Sequence, residues 1–339
     1  MLRATTILAL SLSLVVAACG GGSNKPTTPS DAVQNVPSEN GVRENVKKAS
    51  EPTAAEFPAA NGATLQELAN KMAAGPQLAL ASSVFTTPGD SRMAFGMIAS
   101  DGTPVYGPTA VYVAPTPDAK AEGPFVAPAD VLLTEKRYRS KQAATTTDPF
   151  VAVYGADVKF AKDGKYSVLA TTKKADGSLT GATGEINVTP TSADRIPGVG
   201  DKAPKVHTDT LESAKGDVSK IDTRVPPSDM HDVDFADVVG KKPVALLFST
   251  PQLCQSRVCG PVTDMELQMK AKYGDKMDFI HQEVYVDNDV NKGLREPLKE
   301  FNLASEPWLF VVNTKGVITA RLEGSIGVTQ FENAVKSGL

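Results

Sequence analysis

The chain has 339 residues, 41% of them hydrophobic, 22% charged and only 6% aromatic, with 24 prolines and 27 glycines, which allows two ordinary domains plus unstructured chain. Lys and Arg number 35 against 39 Asp and Glu, a formal charge of −4; with no basic excess to neutralise phosphates, a nucleic-acid partner is not expected. After residue 20 no apolar run approaches the roughly 20 residues that cross a bilayer as a helix, so membrane attachment is sought at the start of the chain.

Residues 1–18 read as a targeting segment: Arg3 gives the positive start, Ile7 to Val16 the apolar stretch, and Ala17-Ala18 the small residues before Cys19. The run Val16-Ala17-Ala18-Cys19 resembles the lipobox of bacterial lipoproteins. That resemblance implies a Cys19 acylated as the mature N-terminus and an extracytoplasmic protein held to a bacterial membrane by lipid; two or more acyl chains, at about 0.8 kcal/mol per buried CH₂, anchor stably. A plain secretory peptide is the alternative. Disulfides persist outside the cytoplasm, and of the three cysteines Cys19 is spoken for, which leaves Cys254 and Cys259 to form a disulfide with each other.

Residues 19–76 are expected to be a flexible tether, rich in Gly, Ser, Pro, Thr, Asn, Glu and Lys with isolated valines. Forty such residues reach roughly 35 Å. One short helix is expected near its end, from Leu65, Leu68 and Met72 before the Gly75-Pro76 stop. Residues 77–190 alternate short β-rich runs with turns: Arg92 to Ile98, Ala110 to Val113, Phe150 to Tyr154, Lys165 to Thr171 after Asp163-Gly164, and Gly184 to Val188. This spacing suggests an all-β, immunoglobulin-like sandwich serving as spacer or contact module. A Pro/Gly-rich linker, 191–204, should separate it from an independent C-terminal unit.

Between 205 and 339 the grammar becomes α/β. Pro243 to Ser249 reads as a buried strand; Val262, Met265, Met269 and Tyr273 keep one helical face until Gly274; Phe279 to Val286 is a second strand and Pro297 to Phe301 part of a second helix. Trp308 to Asn313 and Val317 to Leu322 form a hairpin, and a last helix begins at Thr329 with Glu332 three residues on, a capping box. The order is β-α-β-α-β-β-α.

Cys254 and Cys259 follow the first strand at the start of the first helix, with Pro261 in its first turn. Free N–H groups, the positive dipole end and Arg257 between the thiols all favour thiolate. The element order, Cys259-Gly260-Pro261 and Glu306-Pro307-Trp308 resemble the thioredoxin-like superfamily over about 200–339, which makes the chain multidomain: an α/β thioredoxin-like domain behind the β-sandwich. The resemblance implies a thiol-disulfide oxidoreductase acting on thiols or disulfides of exported proteins, with Pro307 cis and facing the disulfide. Counting from the strand makes Cys254 the exposed attacker and Cys259 its resolving partner; matching Cys-Gly-Pro instead makes Cys259 the attacker. The family's usual spacing is Cys-x-x-Cys, whereas four residues separate the thiols here, and the first strand lacks the family's buried acid; Glu306 either takes that role or merely raises the thiol pKa.

Alternative readings use the same stretch. A peroxiredoxin needs Thr or Ser where Pro251 stands. A copper chaperone of the Sco kind pairs two cysteines with a histidine, but His281 should lie some 17 Å from the carboxyl edge of its strand, and His207 and His231 should be solvated. A non-catalytic binding protein with a structural disulfide is the third. Asp287-Asn288-Asp289-Val290-Asn291 starts like a calcium loop but has Lys292 and Leu298 where Gly and Glu are needed. No metal or cofactor is expected.

Overall fold

A computed structural model describes residues 28–143 and 150–339; the targeting segment, the lipobox and Cys19 lie outside them. Where a flexible tether was expected, two helices form, α1 (Pro29–Val33) and α2 (Val42–Ala49). The valines that look isolated in sequence explain this: Val46 and Ala49 are buried on one face of α2, and Ala32, Val33 and Val36 are buried beside them in the main core. Thr28 caps α1 by accepting from the Asp31 N–H. The short helix α3 (Leu65–Ala69) forms as expected, capped by Thr64, with Leu65 and Leu68 buried. No helix among the described residues is long and apolar enough to cross a membrane.

The β region comprises β1 (Ala73–Ala74), β2 (Gln77–Leu80), β3 (Phe85–Thr87), β4 (Asp90–Ile98) and β5 (Thr109–Ala114). It continues with β6 (Glu122–Val126), β7 (Ala129–Val131), β8 (Ala152–Lys159), β9 (Gly164–Lys173) and β10 (Leu179–Pro190). One sheet runs β1-β10-β9-β5-β6 with β3 also on β10; the other runs β2-β4-β8-β7. Their inner faces meet in one core, seen in the edge contact of Phe160, just after β8, with Tyr166 of β9 at 5.0 Å, while Phe95 and Tyr154 stack at 5.4 Å as cross-strand neighbours of β4 and β8.

The C-terminal α/β unit contains α4 (Phe235–Val238), β11 (Val244–Phe248), α5 (Cys259–Tyr273), β12 (Asp278–Gln282), α6 (Glu296–Glu300), β13 (Trp308–Val312), β14 (Ile318–Glu323) and α7 (Val328–Ser337). Its sheet runs β12-β11-β13-β14, with β11 parallel to β12 and antiparallel to β13. Because side chains alternate across a strand, Val244, Leu246 and Phe248 point into a core with Phe301 and Phe310, while Ala245 and Leu247 point to the opposite face.

That opposite face is not a private core. Val262, Met265 and Met269 of α5 and Phe331 of α7 belong to the same cluster as Met93, Phe95 and Tyr154 of the β region. The linker, expected as a free joint, is packed too: Asp194 pairs with Arg321 at 2.7 Å, and the Gly200 N–H donates to the Ile318 carbonyl. The independence expected of the C-terminal unit is thereby corrected, since apolar surface on α5 and α7 is covered by the β region rather than by water.

The start of α7 shows the same dependence. The expected cap, Thr329 with Glu332, does not form; the helix begins at Val328, and the Thr329 and Gln330 N–H groups donate to Asp130 of β7 at 3.1 and 2.8 Å. Glu332 is buried instead and accepts from Lys272 and the Tyr273 hydroxyl.

Candidate active site

Register alone brings three segments to one edge of the C-terminal sheet. Phe248 ends β11, its parallel neighbour Gln282 ends β12, and its antiparallel neighbour Trp308 begins β13. The cysteine loop, Tyr285 and Glu306-Pro307 therefore leave the sheet at the same place, the carboxyl edge where such folds build sites. The Glu306-Pro307 peptide is cis, as expected of Pro307.

Cys254 lies in the loop and Cys259 is the first residue of α5, and both carry free thiols. Cys254, expected exposed, is only 8% exposed, and Cys259 is fully covered. Their environments pull them apart. A hydrogen bond from the Cys259 thiol is the largest influence on Cys254 and works against its burial; with the Ser256 hydroxyl at 3.2 Å and the Cys259 and Val258 N–H groups, it lowers Cys254 to about 6. Burial first, then the neighbouring Cys254, pushes Cys259 well above an ordinary thiol. The free N–H groups foreseen at the helix start do act on Cys254, but Arg257 is not among the main influences; it lines the adjoining cleft instead, with a left-handed backbone at φ 58°.

Glu306 is half-buried, and burial together with the Cys254 charge raises its carboxyl, the direction that keeps a proton available beside the sulfurs. Tyr285, unmarked in the sequence because its strand was read as far as Val286, is raised by burial and by Glu306 and both cysteines. Two titratable groups thus share the thiols' field.

A cleft of about 650 Å³ adjoins the site. Ser256, Arg257, Pro261 and Glu306 form one wall; Leu80, Ile98, Leu132, Phe150 and Val153 of the β region form the other. Close backbone contacts hold the walls together. A Cβ on Gly260 would come within 2.2 Å of the Gln142 carbonyl, and one on Gly324, at φ +74°, within 1.6 Å of the Ala81 carbonyl, so only glycine fits at either place. The Glu323 carboxylate accepts from the Ser83 and Val84 N–H groups, both at 2.9 Å, and half-buried Arg92 donates to the Glu323 and Ser325 carbonyls. Deeper in, Arg224 pairs with Asp264 at 2.8 Å, and Asp264 also accepts from the Ser140 N–H.

His281 and His231 fall elsewhere than expected, whereas His207 is exposed as expected. β12 stops at Gln282, so His281 sits one residue from the edge rather than some 17 Å below it. It is fully buried and donates Nε2–H to the Ser249 carbonyl at 3.1 Å. His231, expected in solvent, is 3% exposed and meets Asp222 at 3.1 Å. His207 is exposed and pairs with Asp234. Among the described residues no histidine forms a ligand cluster with the cysteines, so the copper-chaperone geometry is not assembled. In the calcium-like segment Asp287 pairs with Lys292 at 2.9 Å and Asp289 accepts from the Asn291 N–H.

A scan against protein-family models finds no match, and a comparison with curated proteins finds none either. Among solved structures, the chain is similar to a protein described as the thiol:disulfide interchange protein DsbE of Chlorobium tepidum, at 16% identity and a TM-score of 0.31, over 42% of this chain and 98% of that one. It is also similar to a thioredoxin-family thiol:disulfide interchange protein of Chlorobium tepidum TLS, at 14% identity and a TM-score of 0.27, over 42% of this chain and 97% of that one.

Proposed function

We propose that the chain is a thiol-disulfide oxidoreductase of thioredoxin-like type, in which Cys254 attacks a disulfide of an exported protein and Cys259 resolves the mixed disulfide. The observation that carries this reading is the asymmetry of the pair at the sheet edge: one sulfur held as thiolate at about 6, its partner held as thiol beneath it. The thiolate is the nucleophile in exchange, so this asymmetry makes Cys254 the attacker and supports the count from the strand over the Cys-Gly-Pro match. In the reducing direction the Cys254 thiolate forms an S–S bond to the nearer substrate sulfur as the substrate's own S–S bond breaks. Cys259 then loses its proton, attacks Cys254 and releases the second substrate thiolate; Cys254–Cys259 ends oxidised by two electrons and the substrate reduced by two. Glu306, with its raised carboxyl, is the group placed to exchange that proton.

The β region, read as an immunoglobulin-like docking module, supplies the apolar wall against which the substrate polypeptide lies. Lipid attachment through Cys19 would hold the protein at a bacterial membrane, outside the cytoplasm. A Cys259→Ser variant of the full chain expressed in cells tests the assignment. Non-reducing gels and mass spectrometry should show partners covalently attached at Cys254; no adduct, together with no insulin reduction by the unaltered protein, would contradict it.

A further inference from the structure

Beneath the cysteine loop lies a cluster that the exchange mechanism does not use. Asp222, His231 and His281 each offer one ligand atom, all within 4.8 Å of one another, and all three residues are buried. They come from two segments far apart in sequence: Asp222 and His231 from the irregular stretch before α4, His281 from β12. We propose that they form a buried metal site with three protein ligands for a borderline divalent cation, Zn²⁺ in the first place, separate from the cysteine pair.

His281 spends its Nε2–H on the Ser249 carbonyl at 3.1 Å, which leaves Nδ1 facing Asp222 Oδ1 at 3.7 Å without a hydrogen-bond partner. A backbone carbonyl on one ring nitrogen and a free nitrogen on the other is how metal-binding imidazoles are held. Asp222 is held in turn by N–H donations from Ser228 and Arg224, both at 2.7 Å.

Buried polar atoms are rarely left unpaired, yet the unpartnered ones include His231 Nδ1, His281 Nδ1, one Glu283 oxygen and both oxygens of Glu266. Glu266 acts electrostatically on both His281 and Asp222, and Glu283 on His281. Three buried carboxylates, of Asp222, Glu266 and Glu283, surround the two imidazoles. Nitrogen and oxygen donors without a thiolate suit Zn²⁺ better than Cu(I). Tetrahedral Zn²⁺ needs donors roughly 3.3 Å apart, so loading would draw Asp222, His231 and His281 closer together. Once loaded, the ion would tie that loop to β12 beside Thr223, whose hydroxyl accepts the Gln252 N–H of the cysteine loop at 3.1 Å.

The test uses the full chain, stripped with chelator and equilibrated separately with Zn²⁺ and with Co²⁺. Metal analysis should give about one bound Zn²⁺ per chain, and bound Co²⁺ should show a tetrahedral visible band without thiolate charge-transfer absorption. The Cys254→Ser/Cys259→Ser variant should keep the metal; His231→Gln and His281→Gln should each lower affinity at least tenfold. A folded chain that binds neither ion, metal lost with the cysteines, or a thiolate-type Co²⁺ spectrum would overturn the proposal. The Co²⁺ spectrum of the unaltered chain decides the point even if the histidine variants do not fold.

Discussion

At the scale of single residues, the chemistry rests on how the two sulfurs are hydrogen-bonded. Cys254 at about 6 is mostly thiolate at neutral pH, while Cys259 is held above an ordinary thiol by burial. The sign follows directly: lowering the pH through 6 protonates Cys254 and removes the nucleophile, whereas raising it toward 9 adds almost none. Alkylation of the dithiol chain, followed by mass spectrometry, should label Cys254 with a rate that rises through about pH 6 and then levels, and should leave Cys259 unlabelled. Ser256→Ala deletes a donor to the thiolate, and with hydrogen bonds to charged groups worth about 1.5–3 kcal/mol the midpoint should move upward by about one pH unit. The placement of both cysteines and of Pro307 was legible in the sequence, because each sits beside a strand whose apolar run is plain. Tyr285 was hidden by a strand end misjudged by four residues, and the burial of His231 by partners 9 and 50 positions away, Asp222 and His281.

Among elements, local grammar predicted what local forces decide. The face of α5, the hairpin of β13 and β14 and the short α3 follow from periodicity and turn residues. Elements stabilised from a distance were misread. α2 owes its order to Val46 and Ala49 lying against a core built later in the chain, which composition cannot reveal. α7 is the clearest case, since its cap is Asp130, 199 positions from Thr329. Asp130→Ala should therefore cost about 1–2 kcal/mol, as lost caps do, and lower the melting temperature of the whole protein, whereas Thr329→Ala, which removes no cap, should change it by less than about 0.5 kcal/mol. Equal losses from the two variants would restore the capping box expected from sequence.

For the whole molecule, the β region and the α/β unit share one core and jointly wall the cleft beside Cys254. A piece cut at the linker would expose Val262, Met265, Met269 and Phe331 to water, so the proposed exchange is to be measured on the full chain. The central claim is that Cys254 and Cys259 are an exchanging pair and not a structural clip. Stabilising the Cys254 thiolate stabilises the reduced form, which moves the potential in the oxidising direction. Equilibrating the full chain in dithiol/disulfide buffers and counting free thiols should place the pair well above about −300 mV, with reversible two-electron behaviour; a pair still oxidised below about −300 mV would be structural and would contradict the account.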